Sequence, residues 1–203
     1  MDEPRSQPRT VVALDGRAVR VLAHPLRSRL LSALRLGGPA TATELAAELS
    51  SNSGATSYHL RALESVGLVA DTGEGVGRRR VWRATSDAHS WAAADIAGDD
   101  ARPGLDWLER DYVHRFAARA EQWLDARDDW PEEWQDAAGL GDDVLTVTAT
   151  QAQELARELG AVLDRYRALG EGEGEGDGDG ALDAERVHVF YHLRPVAARP
   201  GEG

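Results

Sequence analysis

Between Thr41 and Ala84 the apolar period of this chain changes once, and that change narrows the folds open to it. Thr41-Ala42-Thr43-Glu44 is a capping box, a threonine followed three residues on by a glutamate. It opens a helix with Leu45, Ala46 and Leu49 on one face. The polar run Ser50-Ser51-Asn52-Ser53-Gly54 interrupts it. The next helix, to about Val66, turns Thr56, Leu60 and Leu63 inward, and Gly67 is its natural cap. The period then falls to two. Leu68-Val69-Ala70 reads as a strand, Gly73 to Gly77 as a turn, and Arg78 to Ala84 as the returning strand. Upstream, Val19, Leu22, Leu26, Leu30 and Leu34 recur every three or four residues. Pro25 ends one short helix near Ala23 and opens another, which Gly37-Gly38-Pro39 stops.

Helix, turn, helix and then a hairpin with arginine at its tip is the outline of a winged helix-turn-helix. Residues 17–85 resemble the ArsR-type winged-helix repressors. The residues that carry the likeness are HPLRSRLLSAL at 24–34, TATELAAELS at 41–50, GATSYHLRALESVGLV at 54–69 and RRRVWRAT at 78–85. The resemblance covers about a third of the chain. It implies a homodimeric, double-stranded-DNA-binding transcriptional regulator, usually a repressor relieved by a signal. Members of the metal-sensing branch carry paired cysteines on the helix before the recognition helix. Here that helix reads ELAAEL, so the resemblance is to a branch that does not sense metals.

The chain has no cysteine, which removes disulfides, thiolate metal sensing and cysteine nucleophiles together. Its net charge of −12 argues at first against nucleic acid. The distribution reverses this. Residues 1–86 hold 12 Arg against 8 Asp and Glu, and residues 87–203 hold 11 Arg against 27. No apolar run nears the roughly 20 residues that cross a bilayer, and the polar start MDEPRSQPRT lacks a signal peptide's apolar core. A cytoplasmic protein without membrane contact is expected.

A recognition helix reads base edges through outward side chains that are short or able to hydrogen-bond. On the helix from Ser53, a turn of about 100° per residue sets Gly54, Tyr58 and Arg61 opposite the inward face, with Ser57 at the edge of that sector. Ser53 lies at the N-terminus, where free N–H groups attract phosphate. Ser57 and Tyr58 are the base-reading candidates, and Arg61 is a phosphate contact. His59, on the border of the core, either anchors the helix or touches phosphate. Arg78, Arg79 and Arg80 after a glycine turn suit a narrow, strongly negative minor groove. Arg27 is placed between a salt bridge and a phosphate contact.

Five of the six tryptophans lie at or after residue 91. Ser90–Ala97 is expected to be a short helix, and 105–128 a long amphipathic one with Tyr112, Phe116, Trp123 and Leu124 on its stripe. Val144-Leu145-Thr146-Val147 is expected as a strand. A helix capped by Thr148 or Thr150 then turns Leu155, Leu159, Val162, Leu163 and Tyr166 inward, and 186–193 (RVHVFYHL) closes as a last strand. Trp107, Trp123, Trp130 and Trp134 are candidates for a dimer interface or for the lining of an effector pocket, because tryptophan buries much area with few rotors. His188 and His192 share a strand face but stand about 13 Å apart, so they cannot chelate one metal together. No metal site and no cofactor is expected, and no Walker loop, GxSxG, HExxH or GxGxxG occurs.

The expected class is α+β: an N-terminal winged helix-turn-helix, a long dimerisation helix and a small C-terminal α/β region. The expected parts are a loose arm at 1–10, the DNA-binding domain at 11–86, a dimerisation or sensing region at 87–169, an acidic glycine-rich linker at 170–180, and a strand and tail at 181–203. Two rival functions stand beside the dimeric repressor. One is a sensor whose aromatic C-terminal pocket binds an unidentified small molecule and controls DNA binding. The other is an enzyme fused to a DNA-binding module, which lacks any visible nucleophile–base–acid set; no catalytic residues are expected.

Overall fold

The computed structural model describes residues 10–75, 77, 79–91, 96, 101–173 and 184–196. The chain is α+β and divides into two compact units, one of described residues up to Gln122 and one from Trp123 onward.

The first unit contains β1 (Val11–Ala13), α1 (Gly16–Leu22), α2 (Pro25–Gly37), β2 (Ala40–Thr41), α3 (Ala42–Glu48), α4 (Ser53–Glu64), β3 (Val69–Asp71), β4 (Val81–Ala84) and β5 (Ala88–Ser90). It also holds most of α5 (Arg102–Ala126). Each helix start has a local cause. The Asp15 carboxylate accepts from Ala18 N–H at 2.7 Å, His24 Nδ1 accepts from Leu26 N–H at 3.1 Å with Pro25 at the first helical position, and Asn52 Oδ1 accepts from Ala55 N–H at 2.8 Å. The capping box on α3 is closed in both directions: Thr41 Oγ1 accepts from Glu44 N–H and the Glu44 carboxylate accepts from Thr41 N–H. The carboxylate also accepts from the Thr41 hydroxyl at 2.8 Å, and the bonds from the Thr41 N–H and then this hydroxyl hold the Glu44 carboxyl below its usual range. Gly67, at φ +73°, turns the chain from α4 into β3.

β3 and β4 pair antiparallel, with Val69 opposite Ala84 and Asp71 opposite Trp82, and β2 adds to the other edge of β4. Away from this sheet, β1 runs parallel to β5. Leu22, Leu30, Leu45, Leu60, Leu63 and Trp82 fill the core between helices and wing.

The long helix does not offer its whole stripe to a partner. Leu105 and Leu108 are buried in the chain's own core, and Trp107 and Tyr112 pack against it. Polar bonds hold the next turns to α2. Ser28 Oγ donates to the Asp111 carboxylate at 2.7 Å, Arg115 donates to the Ser28 carbonyl at 3.3 Å, and Arg119 donates to Ser32 Oγ at 2.8 Å. The helix expected from Ser90 is corrected at its start, because Ser90 closes β5 by pairing with Ala13; residues 92–95 and 97 lie outside the described residues.

In the second unit a short 3-10 turn (Arg127–Asp129) and α6 (Glu132–Ala137) precede α7 (Ala149–Glu173). Thr148, not Thr150, caps α7: its Oγ1 accepts from Gln151 N–H at 3.2 Å, and Gln151 Oε1 accepts from Thr148 N–H at 2.9 Å. The helix runs three residues past the expected linker start at 170, and 174–180 lie outside the described residues. The strands expected at 144–147 and 186–193 are not formed, because among the described residues neither segment joins a β-ladder. Leu155, Leu159 and Leu163 are half-buried, but Val162 and Tyr166, expected on the inner face of α7, are exposed.

Candidate nucleic-acid interface

The recognition helix is α4. Its inward face is Thr56, Leu60 and Leu63, all sealed from solvent. The opposite stripe of Ser53, Gly54, Tyr58 and Arg61 is exposed, and Ser57 is half-buried at its edge. Tyr58 stands out, with 66% of its surface free. Tyr58 thus presents a phenolic donor and acceptor on a firmly packed helix.

His59 lies behind this stripe. Its ring packs on His24 at 4.3 Å between centroids and meets the edge of Tyr58 at 5.2 Å. The pKa of each histidine is lowered, first by burial; Arg27 adds to this for His24, and His24 and Arg27 add to it for His59. Both are therefore held neutral. The geometry gives His59 to the anchoring of α4 on α2. Arg27 is half-buried beside the pair, and burial lowers its pKa too.

The hairpin between β3 and β4 is the wing. Its turn uses glycine for two separate reasons. Gly77 has φ +67°, and any side chain on Gly75 would collide with the Arg79 carbonyl. Arg61, Asp71, Arg79 and Arg80 with the turn glycines line an open cleft of about 460 Å³. Arg61 and Arg79 beside backbone without side chains suit an anion such as a DNA phosphate, while Arg80 takes up the Asp71 carboxylate. The three wing arginines are not equivalent. Arg80 pairs with Asp71 at 3.4 Å and Glu64 at 3.9 Å and lies over the Trp82 ring at 5.7 Å. Arg79 is exposed, and Arg78 lies outside the described residues.

The aromatic candidates separate. Trp107 packs against the core of the first unit, whereas Trp123, Trp130 and Trp134 form a ring-to-ring series in the second, at 5.8 and 6.4 Å. Sequence reasoning missed a polar network between β5, α2 and α5. Arg35 donates to His89 Nδ1 at 2.6 Å and to Ser86 through its carbonyl and hydroxyl, both at 2.9 Å. A guanidinium has no acceptor, so Nδ1 carries no proton, and Nε2–H donates to the Tyr112 hydroxyl. Burial, then Arg35 and Arg115, push the His89 pKa down to about 3. Nothing local in the sequence signals this network, since its members are 51 and 23 residues apart or more.

Residues 22–72 match a family model described as a helix-turn-helix domain, a span from the end of α1 to just past β3. No curated protein matches the chain. The helix-turn-helix domain supports a DNA-binding transcriptional regulator. No helix of the described residues is long and apolar enough to cross a membrane.

Proposed function

We propose that the chain is a cytoplasmic, homodimeric repressor of the ArsR type that reads double-stranded DNA with α4 and the wing, senses no thiophilic metal and catalyses no reaction. The observation that carries this is the exposed stripe Gly54–Tyr58–Arg61 lying beside the three-arginine cleft of the wing. Tyr58 and Ser57 read base edges, and Arg61 and Arg79 hold phosphate. Arg80 is mainly a brace that fixes the wing on α4 through Glu64 and on β3 through Asp71.

Selection of bound sequences from a random DNA pool by the full chain tests this. The expected result is one enriched motif with two inverted half-sites about 34 Å apart, as two recognition helices on a two-fold axis require. Binding with no enriched motif would overturn the sequence-specific reading. Titration of zinc, cadmium and arsenite against the operator complex should give no specific release, given the absence of cysteine.

The ring series Trp123–Trp130–Trp134 favours a second reading, in which an aromatic ligand docks there and alters DNA binding. A metabolite retained by the purified protein that quenches its tryptophan fluorescence would favour it.

A further inference from the structure

The second unit carries the helices α6 and α7. Among its described residues from Trp123 to Val196, no side chain is buried. It nevertheless holds most of the chain's exposed large apolar residues: Val144 is 71% exposed, Val187 67%, Tyr166 64% and Val189 54%. Summed over these separate residues, this is on the order of 1,000 Å² of apolar surface in water. A stable dimer needs about 800 Å² per partner, which this surface supplies.

The pattern within 186–193 specifies how that surface is covered. Val187, Val189, Tyr191 and Leu193 fall at every second position, the spacing of one face of a strand. Among the described residues the segment joins no β-ladder. An identical strand is a self-complementary partner, since antiparallel pairing across a two-fold axis puts apolar residues of one copy beside those of the other. Nucleic acid does not fit, because from Trp123 onward the sequence holds 7 Arg against 19 Asp and Glu.

We infer that a second copy of this chain covers the exposed apolar surface of the C-terminal unit, with residues 186–193 of the two copies pairing antiparallel about a two-fold axis. This rests on the dimeric reading above and adds the place and form of the contact. The pairing turns this segment into a strand.

The absence of cysteine makes the test direct. F190C places one thiol on an axis through residue 190, where the two copies fall within the 4.4–6.8 Å Cα separation that a disulfide spans, and V189C and Y191C cover an axis displaced by one residue to either side. The full-length variants should oxidise to a covalent dimer at low micromolar concentration, most completely in one of the three, while S51C stays a single chain. The double variant V189D/Y191D should sediment as a monomer with the helical content of the wild type. A monomeric wild-type chain overturns the inference. So does a dimer that survives V189D/Y191D and is not cross-linked in any of the three cysteine variants. DNA binding by the same samples separates the two ideas. A dimer lost in V189D/Y191D and cross-linked by cysteine, but inert to DNA, sinks the regulator and keeps the contact. A chain that binds its operator as a dimer untouched by these changes sinks the contact alone.

Discussion

At the scale of single residues, Tyr58 and Thr56 sit two positions apart on α4 and have opposite tasks. Tyr58 lies on the exposed stripe of α4 with 66% of its surface free, and its ring meets the edge of His59. Tyr58→Ala should leave stability nearly unchanged. It should cost about 1–3 kcal/mol on the operator, with the slope of log K against log salt almost fixed, because a base contact releases no counterion. Binding isotherms at several salt concentrations check this, and unchanged operator affinity would mean that α4 docks with another face. Thr56 is fully buried, and its hydroxyl has no hydrogen-bond partner among the described residues. Thr56→Val keeps the shape and removes an unsatisfied polar group. The melting temperature should therefore hold or rise, by up to about 1 kcal/mol of stability. The sequence revealed Tyr58's exposure, because the 3.6-residue period alone fixes it. It did not reveal Arg80's ties to Glu64 and Asp71, because those depend on how the hairpin folds back on α4.

Among the elements, those with local causes were legible and those needing a distant partner were not. Capping residues and glycines placed α1 to α4 and the wing within a few residues. Asn52 as the cap of α4 was missed, since Ser53 is equally suited by type. The docking of α5 on α2 and β5 was also missed. It depends on the His89–Arg35–Tyr112 network, whose members the sequence sets far apart. That network gives the fold a pH dependence. The native state holds His89 neutral to about pH 3, whereas the unfolded chain takes up its proton near pH 6.5. Between those values the unfolded state binds the extra proton. The stabilisation is thus complete above about pH 6.5 and is lost as pH falls toward 3, at no more than about 1.4 kcal/mol per pH unit. His24 and His59, also lowered, act in the same direction. His89→Gln should flatten the fall in urea-unfolding free energy between pH 6.5 and 4. An identical slope in variant and wild type would remove His89 as its source.

For the whole molecule, the two compact units divide at Gln122 and Trp123, inside α5, although composition and charge change near residue 86. The boundary was hidden because α5 carries one continuous apolar pattern, used for packing in its first turns and left open toward Leu124. The expected strands at 144–147 and 186–193 were read from a sound period-two pattern, but a strand needs a neighbour, and among the described residues neither segment has one. The division leads to a prediction on truncation. A chain ending at Gln122 retains the core, the wing and α4, so it should unfold cooperatively. On the contact inferred above, it loses the surface by which two copies pair. Each half-site is then bound alone, and operator affinity should fall by about 10²- to 10⁴-fold through lost effective concentration. The phosphate contacts of one copy remain, so the slope of log K against log salt should drop to about half the full chain's value. Binding to a single half-site should change little, because α4 and the wing are intact. If the truncated chain keeps both full operator affinity and the full slope, the copies meet within residues up to Gln122, and the C-terminal surface must be covered by something other than dimerisation.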